Sequence, residues 1–460
     1  MIYSEGDTIA AIATSPGEAG IGIVRISGSK ALDIADTVFY AKNKAKPSSY
    51  KTHTVHYGWI GASAKEVVDE VLVTVMRAPA TFTREDVVEI NCHGGIVALR
   101  RALELVLDAG ARLALPGEFT RRAFLNGRID LSQAEAVLDV IKAKTDAALA
   151  SGMQQLSGTL SRRVTAMRAG LIDVLAVIEA HIDFPDEELG EADILRLQDQ
   201  TAAINRELRS LLDQARFGRI VREGIRAVIC GAPNVGKSSL LNALVQKERS
   251  IVTPVAGTTR DVVEDCIDIR GIPMRIMDTA GLLEPRDLVE RKAVAKAKEC
   301  IKQSDLIILV LDGGKPMDTH TRSLMRMVAK AKTITVINKI DVKQRLRRQD
   351  VTAAFERVVE VSARHLRNMD ALEAAIASFV FGGNVVFAEP FCVSNLRHIR
   401  ELKDAQKCIA QASHSLDNGL SPEFTAQHMK DALGAFDDLL GKRFSQDLLD
   451  SIFSQFCIGK

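Results

Sequence analysis

The chain has 460 residues, which at roughly 150 residues per domain sets a prior of about three domains. Sixty Lys and Arg against 59 Asp and Glu leave a net charge of +1, too little excess cation to coat a phosphate backbone generically, although a local patch is compatible with it. Hydrophobic residues at 47% and charged residues at 26% are the balance of a folded chain and exclude a disordered one.

No apolar run approaches the ~18 residues of a membrane-spanning helix; the strongest, Leu306–Leu311, is stopped by Asp305 and Asp312. The N-terminal MIYSEGDTIA lacks the basic region and apolar core of a signal peptide. Seven scattered cysteines without a C-x-x-C pair point to neither a disulfide framework nor a zinc site. The expectation is a cytoplasmic protein with no membrane contact.

In chain order, residues 1–120 read as mixed α/β. Short apolar runs (Ile21–Ile26, Val71–Met76, Val87–Ile90) alternate with Gly- and Pro-marked turns and a helical stretch near Ala98–Leu107. After Pro116-Gly117, residues 121–221 read as successive amphipathic helices. Leu131, Ala134, Leu138 and Ile141 share one face; so do Val164, Met167, Leu171, Leu175, Ile178 and Ile182, and then Ile204, Leu208, Leu211 and Ala215. The Asp183-Phe-Pro-Asp186 break separates two of these helices. Residues 222–381 alternate Val/Ile/Leu strands with helices, the pattern of a doubly wound parallel sheet. Residues 382–460 return to helices, with Met429, Leu433, Phe436 and Leu440 on one face. The economical organisation is a helical domain, 121–221 and 382–460, interrupted by an inserted α/β domain.

The inserted segment carries the chemistry. Gly231-Ala-Pro-Asn-Val-Gly236-Lys237-Ser238 matches G-x-x-x-x-G-K-[ST], between a predicted strand (Ile225–Cys230) and a predicted helix (Ser239–Val245). Backbone N–H groups of such a loop cradle phosphates at a helix N-terminus. Asn234, Val235, Gly236, Lys237, Ser238 and Ser239 are the phosphate-side candidates; Lys237 reaches the β/γ-phosphates and Ser238 ligates Mg²⁺. Asp278-Thr-Ala-Gly281 follows the strand Met274–Met277, so that Asp278 faces Mg²⁺ and the Gly281 N–H senses the γ-phosphate. Asn338-Lys339-Ile-Asp341 ends the strand Thr333–Ile337 at the ligand-binding edge of such sheets. The Asp341 carboxylate can accept from guanine N1–H and the 2-amino group, neither of which adenine offers. Ser362 and Ala363, after Val358–Val361, fit a loop closing over the base. These motifs in order define a GTP-binding domain.

Where Ras-type GTPases carry a water-orienting glutamine, this chain has Leu282, which cannot polarise water. The nearby carboxylates are Glu284 and Glu290, and a cation or second subunit is the other source of catalysis.

Val252-Thr-Pro-Val-Ala-Gly-Thr-Thr-Arg-Asp261, the Asp278 motif, Pro116-Gly-Glu-Phe-Thr120, Ala123-Phe-Leu-Asn-Gly-Arg128, Asp183-Phe-Pro-Asp-Glu187 and the terminal Cys457-Ile-Gly-Lys460 together resemble the MnmE (TrmE) family over essentially the whole chain. The resemblance implies a multidomain α/β plus all-α fold: an N-terminal α/β folate-binding and dimerisation domain, a helical domain, and an inserted Ras-like doubly wound G domain. It implies a homodimer acting with an FAD flavoprotein of the MnmG type to place an aminomethyl-type group, usually carboxymethylaminomethyl, at C5 of the wobble uridine of certain tRNAs. The one-carbon donor it implies is 5,10-methylene- or 5-formyl-tetrahydrofolate, with Arg25, Glu89, Arg128 and Lys460 at the matching positions. Asn234, Thr253, Val255 and Thr258 match K⁺-coordinating positions, Thr253 and Val255 through backbone oxygen; Thr253 and Thr258 thereby join the GTP site. Thr259 matches the second Mg²⁺ contact, and Glu290 the family's catalytic carboxylate. A cation at the β/γ bridge would do the work of an arginine finger.

Three positions depart from the family pattern: Leu283 replaces an Arg of the second switch, Arg84 a usual Gly, and His365-Leu-Arg-Asn368 a glycine-bearing loop. Cys457 is a possible nucleophile toward uracil C6 or a part of the folate pocket. Cys92-His93-Gly-Gly95 reads as a turn, since two adjacent ligands make a poor chelate. The alternative of a different class is a ribosome-assembly GTPase switch. Such proteins usually add a basic RNA module or a second G domain, and neither signal is in this chain.

Overall fold

The computed structural model describes residues 6–184, 190–247, 266–277, 299–328, 330–382 and 393–460. The chain forms two compact units: Met1–Ile141 with Gln155–Ile204 and Asp404–Lys460, and Lys142–Gln154 with Asn205–Lys403.

The first unit holds strands β1 (Ile9–Ile12), β2 (Ala19–Ser27), β3 (Phe39–Tyr40), β4 (Thr54–Ser63), β5 (Glu66–Met76), β6 (Val87–Gly94) and β7 (Arg112–Leu113). They make one sheet in the order β3-β4-β5-β6-β2-β1-β7, antiparallel except for the β1/β7 pair. The two-residue side-chain period divides the strands into faces. Val24 and Ile26 of β2 and Val88, Ile90 and Cys92 of β6 are buried against the helices Ala31–Val38 and Ile96–Asp108, through Ile34, Val38, Leu99 and Val106. Arg25 and Glu89 fall on the opposite face. The expected strands and helix of this region all form.

The helical part follows its 3.6-residue period. Val164, Met167, Leu171, Leu175 and Ile178 are buried along Thr159–Asp183, while Ile182 is only half-buried. Leu131, Ala134 and Leu138 are buried in Leu131–Lys142, whereas Ile141 in the last turn is exposed. The helices Thr159–Asp183 and Pro422–Leu440 are joined by Arg168, whose Nε donates to Asp437 Oδ1 at 2.6 Å. No helix among the described residues is long and apolar enough to cross a membrane.

The second unit holds β8 (Ile225–Cys230), β9 (Cys266–Ile269), β10 (Ile272–Met277), β11 (Leu306–Asp312), β12 (Thr333–Asn338) and β13 (Val358–Glu360), in the order β13-β12-β11-β8-β10-β9. All neighbours are parallel except β9/β10. One face packs on the helices Lys237–Lys247 and Met369–Phe381 through Leu240, Leu244, Leu372 and Ile376. The other meets Met325, Val328, Val351 and Phe355. Every residue of β11 is buried, as a strand covered on both faces requires. This is the doubly wound sheet expected from the alternating strand and helix runs.

A charge cluster secures the start of the first unit. Glu118, 1% exposed, accepts from Arg112 Nη2 at 2.6 Å, Arg122 Nη2 at 3.1 Å and the Leu115 N–H at 2.8 Å. Arg112 and Arg122 also reach Asp7, and Arg122 reaches Glu85. Glu118→Gln takes one carboxylate from a cluster in which both arginines keep Asp7 as a partner, so it should cost about 2 kcal/mol of stability, read from chemical denaturation of the full chain.

Candidate functional site

The phosphate-binding loop runs from the end of β8 into the helix Lys237–Lys247. Gly236 has φ +98°, and a Cβ there would stand 2.3 Å from Asn338 Nδ2, so only glycine lets the loop and the Asn338 side chain approach. Asn234 holds φ +63°, the left-handed region that Asn tolerates best among side-chain-bearing residues. Lys237 Nζ donates to the carbonyls of Gly231 (3.2 Å) and Ala232 (3.0 Å), which places its ammonium across the loop. Ser238 and Ser239 are both exposed at the helix start, where a hydroxyl can ligate a metal.

Asn338 is 2% exposed and joins two loops. Its Nδ2 donates to Val235 O at 2.9 Å and its Oδ1 accepts the Ala363 N–H at 3.0 Å. Lys339 Nζ donates to Asn234 O (2.8 Å) and to Asp312 Oδ2 (2.7 Å). Asp341 Oδ1 accepts from Ser362 Oγ at 2.6 Å, and that hydrogen bond holds its carboxyl below the usual carboxylate range. The group is therefore ionised at neutral pH, as an acceptor for two guanine N–H groups must be. The structure thus brings Asn234, Val235, Gly236, Lys237, Asn338, Lys339, Asp341, Ser362 and Ala363 to one edge of the sheet. Thr253, Val255, Thr258, Thr259, Asp278, Gly281, Leu282, Leu283, Glu284 and Glu290 lie outside the described residues.

The glycine-poor loop keeps a closed form: Leu366 and Asn368 adopt φ +53° and +59°, while Ser362 and Arg367 exchange backbone hydrogen bonds at 3.1 Å. Arg84 likewise adopts φ +60°, a conformation suited to glycine, and its Nη1 donates to Asn126 O at 2.9 Å. Asp312 is a site residue that the sequence motifs do not include; its signal is an acidic residue ending an otherwise wholly apolar strand.

In the first unit, Arg25 and Glu89 are register partners across β2 and β6, with Arg25 Nε donating to Glu89 Oε1 at 2.8 Å. Arg25 Nη1 also donates to Gly459 O at 3.1 Å, and its guanidinium lies 5.6 Å from the centre of the Phe119 ring. The terminal residues are pinned there: Phe119 N–H donates to Lys460 O at 3.2 Å, and a Cβ on Gly459 would stand 2.4 Å from Ile12 O. Arg128 is exposed, its guanidinium 4.8 Å from the Phe82 ring centre, and Phe82 packs on the cluster containing Phe119. Phe119 and Gly459 are the members of this site that sequence reading missed.

Cys92-His93 does not form the expected turn. It belongs to β6, whose alternation buries Cys92 and exposes His93, paired to Asp69 at 2.6 Å. Burial, with the nearby Asp69 charge adding to it, pushes the Cys92 thiol up to about 12. Among the described residues no cluster of three or more potential metal ligands of the His, Cys, Asp or Glu type occurs.

Comparison with known proteins adds the lineage. A family model described as the MnmE helical domain matches residues 131–457, and one described as the GTP-binding protein TrmE N-terminus matches 8–128. A tRNA modification GTPase MnmE of Geobacillus kaustophilus is 45% identical, covering 99% of this chain and all of that protein. The chain belongs to the MnmE family. A second relative, the tRNA modification GTPase MnmE of Alkaliphilus oremlandii, is 43% identical over 99% of both chains. Among solved structures, a variant of Aquifex aeolicus Era bound to GDP·AlF4⁻ aligns at 27% identity over 40% of this chain and 66% of that one, with a TM-score of 0.27.

Two measurements test the geometry. Asp341→Asn should weaken GTP binding by about a hundredfold or more and favour XTP, whose C2 carbonyl accepts from the new amide; competition binding reads the exchange. Iodoacetamide at pH 8 should label exposed Cys457 in the folded chain and leave buried Cys92 unlabelled until denaturant is added, as peptide mass spectrometry would show.

Proposed function

We propose that this chain is a K⁺-dependent GTP hydrolase of tRNA modification, acting in the cytoplasm with a flavoprotein partner on C5 of the wobble uridine and drawing a one-carbon unit from tetrahydrofolate. The observation that carries the folate part is the terminal Cys457–Lys460 segment lying against the Arg25–Glu89 pair. Glu89 offers acceptors to the N–H edge of a pterin, while Arg25, Arg128 and Lys460 offer cations to the carboxylates of a folate tail. The donor set fits the group, which would supply the carbon at the formaldehyde or formate level. Cys457 contributes through its backbone, its carbonyl facing the Gly117 N–H at 3.5 Å, and its exposed thiol remains open to substrate.

In the nucleotide-binding unit the chain's own groups hold and orient GTP. Lys237 and the loop N–H groups take the phosphates, Ser238 with Thr259 the Mg²⁺, and Asp341 the base. Asn234, with Thr253, Val255 and Thr258, would hold K⁺, whose charge offsets the charge developing between the β- and γ-phosphates. Glu290 would orient water in place of the missing glutamine. Dimerisation through the N-terminal sheet is supported by three apolar side chains on its helix-free face, Val55, Tyr57 and Leu72, which stay 59%, 51% and 45% exposed. The nucleotide-binding residues 222–381 are read as an insertion between the helical stretches 121–221 and 382–460.

The test is nucleoside mass spectrometry of bulk tRNA from cells with and without the gene. Deletion should abolish a 5-(aminomethyl)-type wobble uridine, the intact chain should restore it, and Glu290→Ala should not. An unchanged profile with accumulating ribosome precursors would favour an assembly switch instead.

A further inference from the structure

Asp312 is the last residue of β11 and the register partner of Asn338 on β12, so it stands at the carboxyl edge of the sheet beside the guanine motif. Its side chain is 6% exposed and both oxygens are engaged: Oδ1 accepts the Gly314 N–H at 3.0 Å, and Oδ2 accepts from Lys339 Nζ at 2.7 Å. The same ammonium reaches Asn234 O in the phosphate-binding loop at 2.8 Å. Lys339 itself sits at φ +66°, a backbone state that a non-glycine residue keeps only when its surroundings hold it there. Its carbonyl is engaged as well, accepting from Gln344 Nε2 at 2.9 Å.

We infer that Asp312 is a positioning residue for guanine-nucleotide binding, acting through Lys339. A long, flexible ammonium side chain loses considerable rotamer freedom when it is fixed. A buried carboxylate makes that fixation favourable, because each charge is the other's replacement for water. With its head tied to Asp312 and Asn234, Lys339 stretches its methylene stem along the border between base side and phosphate side. The stem meets a base through apolar contact, which is indifferent to exocyclic groups, whereas Asp341 reads those groups. Asp312 therefore sets how tightly a purine nucleotide is held, and Asp341 sets which purine. The inference rests on the assignment of Asn338-Lys339-Ile-Asp341 as the guanine motif.

The experiment uses the full chain and measures dissociation constants for GTP, GDP and ITP by displacement of a fluorescent GDP analogue. Asp312→Asn, which preserves shape and the acceptor for Gly314, should weaken all three about tenfold, or about 1.4 kcal/mol. Lys339→Met should weaken them at least as much, and the double variant should be no weaker than Lys339→Met alone, since both remove one interaction. Unaltered affinity in Asp312→Asn, multiplying losses in the double variant, or a loss confined to GTP over ITP would each overturn the inference. Asp312→Ser, which keeps an oxygen for the Gly314 N–H, gives the same reading if the asparagine variant does not fold. Failure of Asp341→Asn to exchange GTP for XTP would instead overturn the guanine assignment.

Discussion

The side chain of Asn338 has a donor amide and an acceptor carbonyl, and the protein uses both internally, one on the phosphate-binding loop and the other on the loop after β13. The nucleotide-binding unit depends on this bridge, because the two loops come from opposite ends of the segment and share no backbone ladder. A buried amide leaves little latitude: either partner lost would leave a polar atom unsatisfied in a dry environment. That constraint explains why Gly236 has no room for a side chain and why Ser362 and Ala363 are held rigidly enough to present Asp341.

Around the bridge, charges are placed where the sheet can neutralise them. Asp312 and Lys339 pair at the strand edge, and Asp341 is kept ionised by the Ser362 hydroxyl. Parallel strands with apolar faces supply no polar groups of their own, so the polar chemistry gathers at their carboxyl ends. In the N-terminal sheet the logic differs. One face packs on two helices and the other is free to carry Arg25 and Glu89, so the two-residue alternation itself separates core from site.

Much of the fold was legible in linear patterns. The buried faces of the long helices match their 3.6-residue spacing, with exceptions at Ile141 and Ile182, which lie in final turns, and at the half-buried Leu433. Cys92-His93 is too poor a chelate for a metal and on that ground reads locally as a turn. Strand pairing with β2 and β5 extends through this part of β6 and overrides the local signal. Arg84 shows the converse, since its contact with Asn126 accompanies a glycine-like backbone where the residue type argues against it, and Leu366 holds such a backbone within the local loop closed by Ser362 and Arg367.

The phosphate loop, the guanine motif and the family itself were determined by sequence alone, because each is a short run whose spacing encodes local backbone geometry. Only the tertiary structure decided which distant residues meet. Arg25 and Gly459 are 434 positions apart, and Lys339 and Asp312 are 27 apart at the ends of neighbouring strands. No periodicity encodes such pairs. They arise from register between strands and from where the chain's last residues come to rest, and both are set by packing of the whole unit rather than by any segment of it.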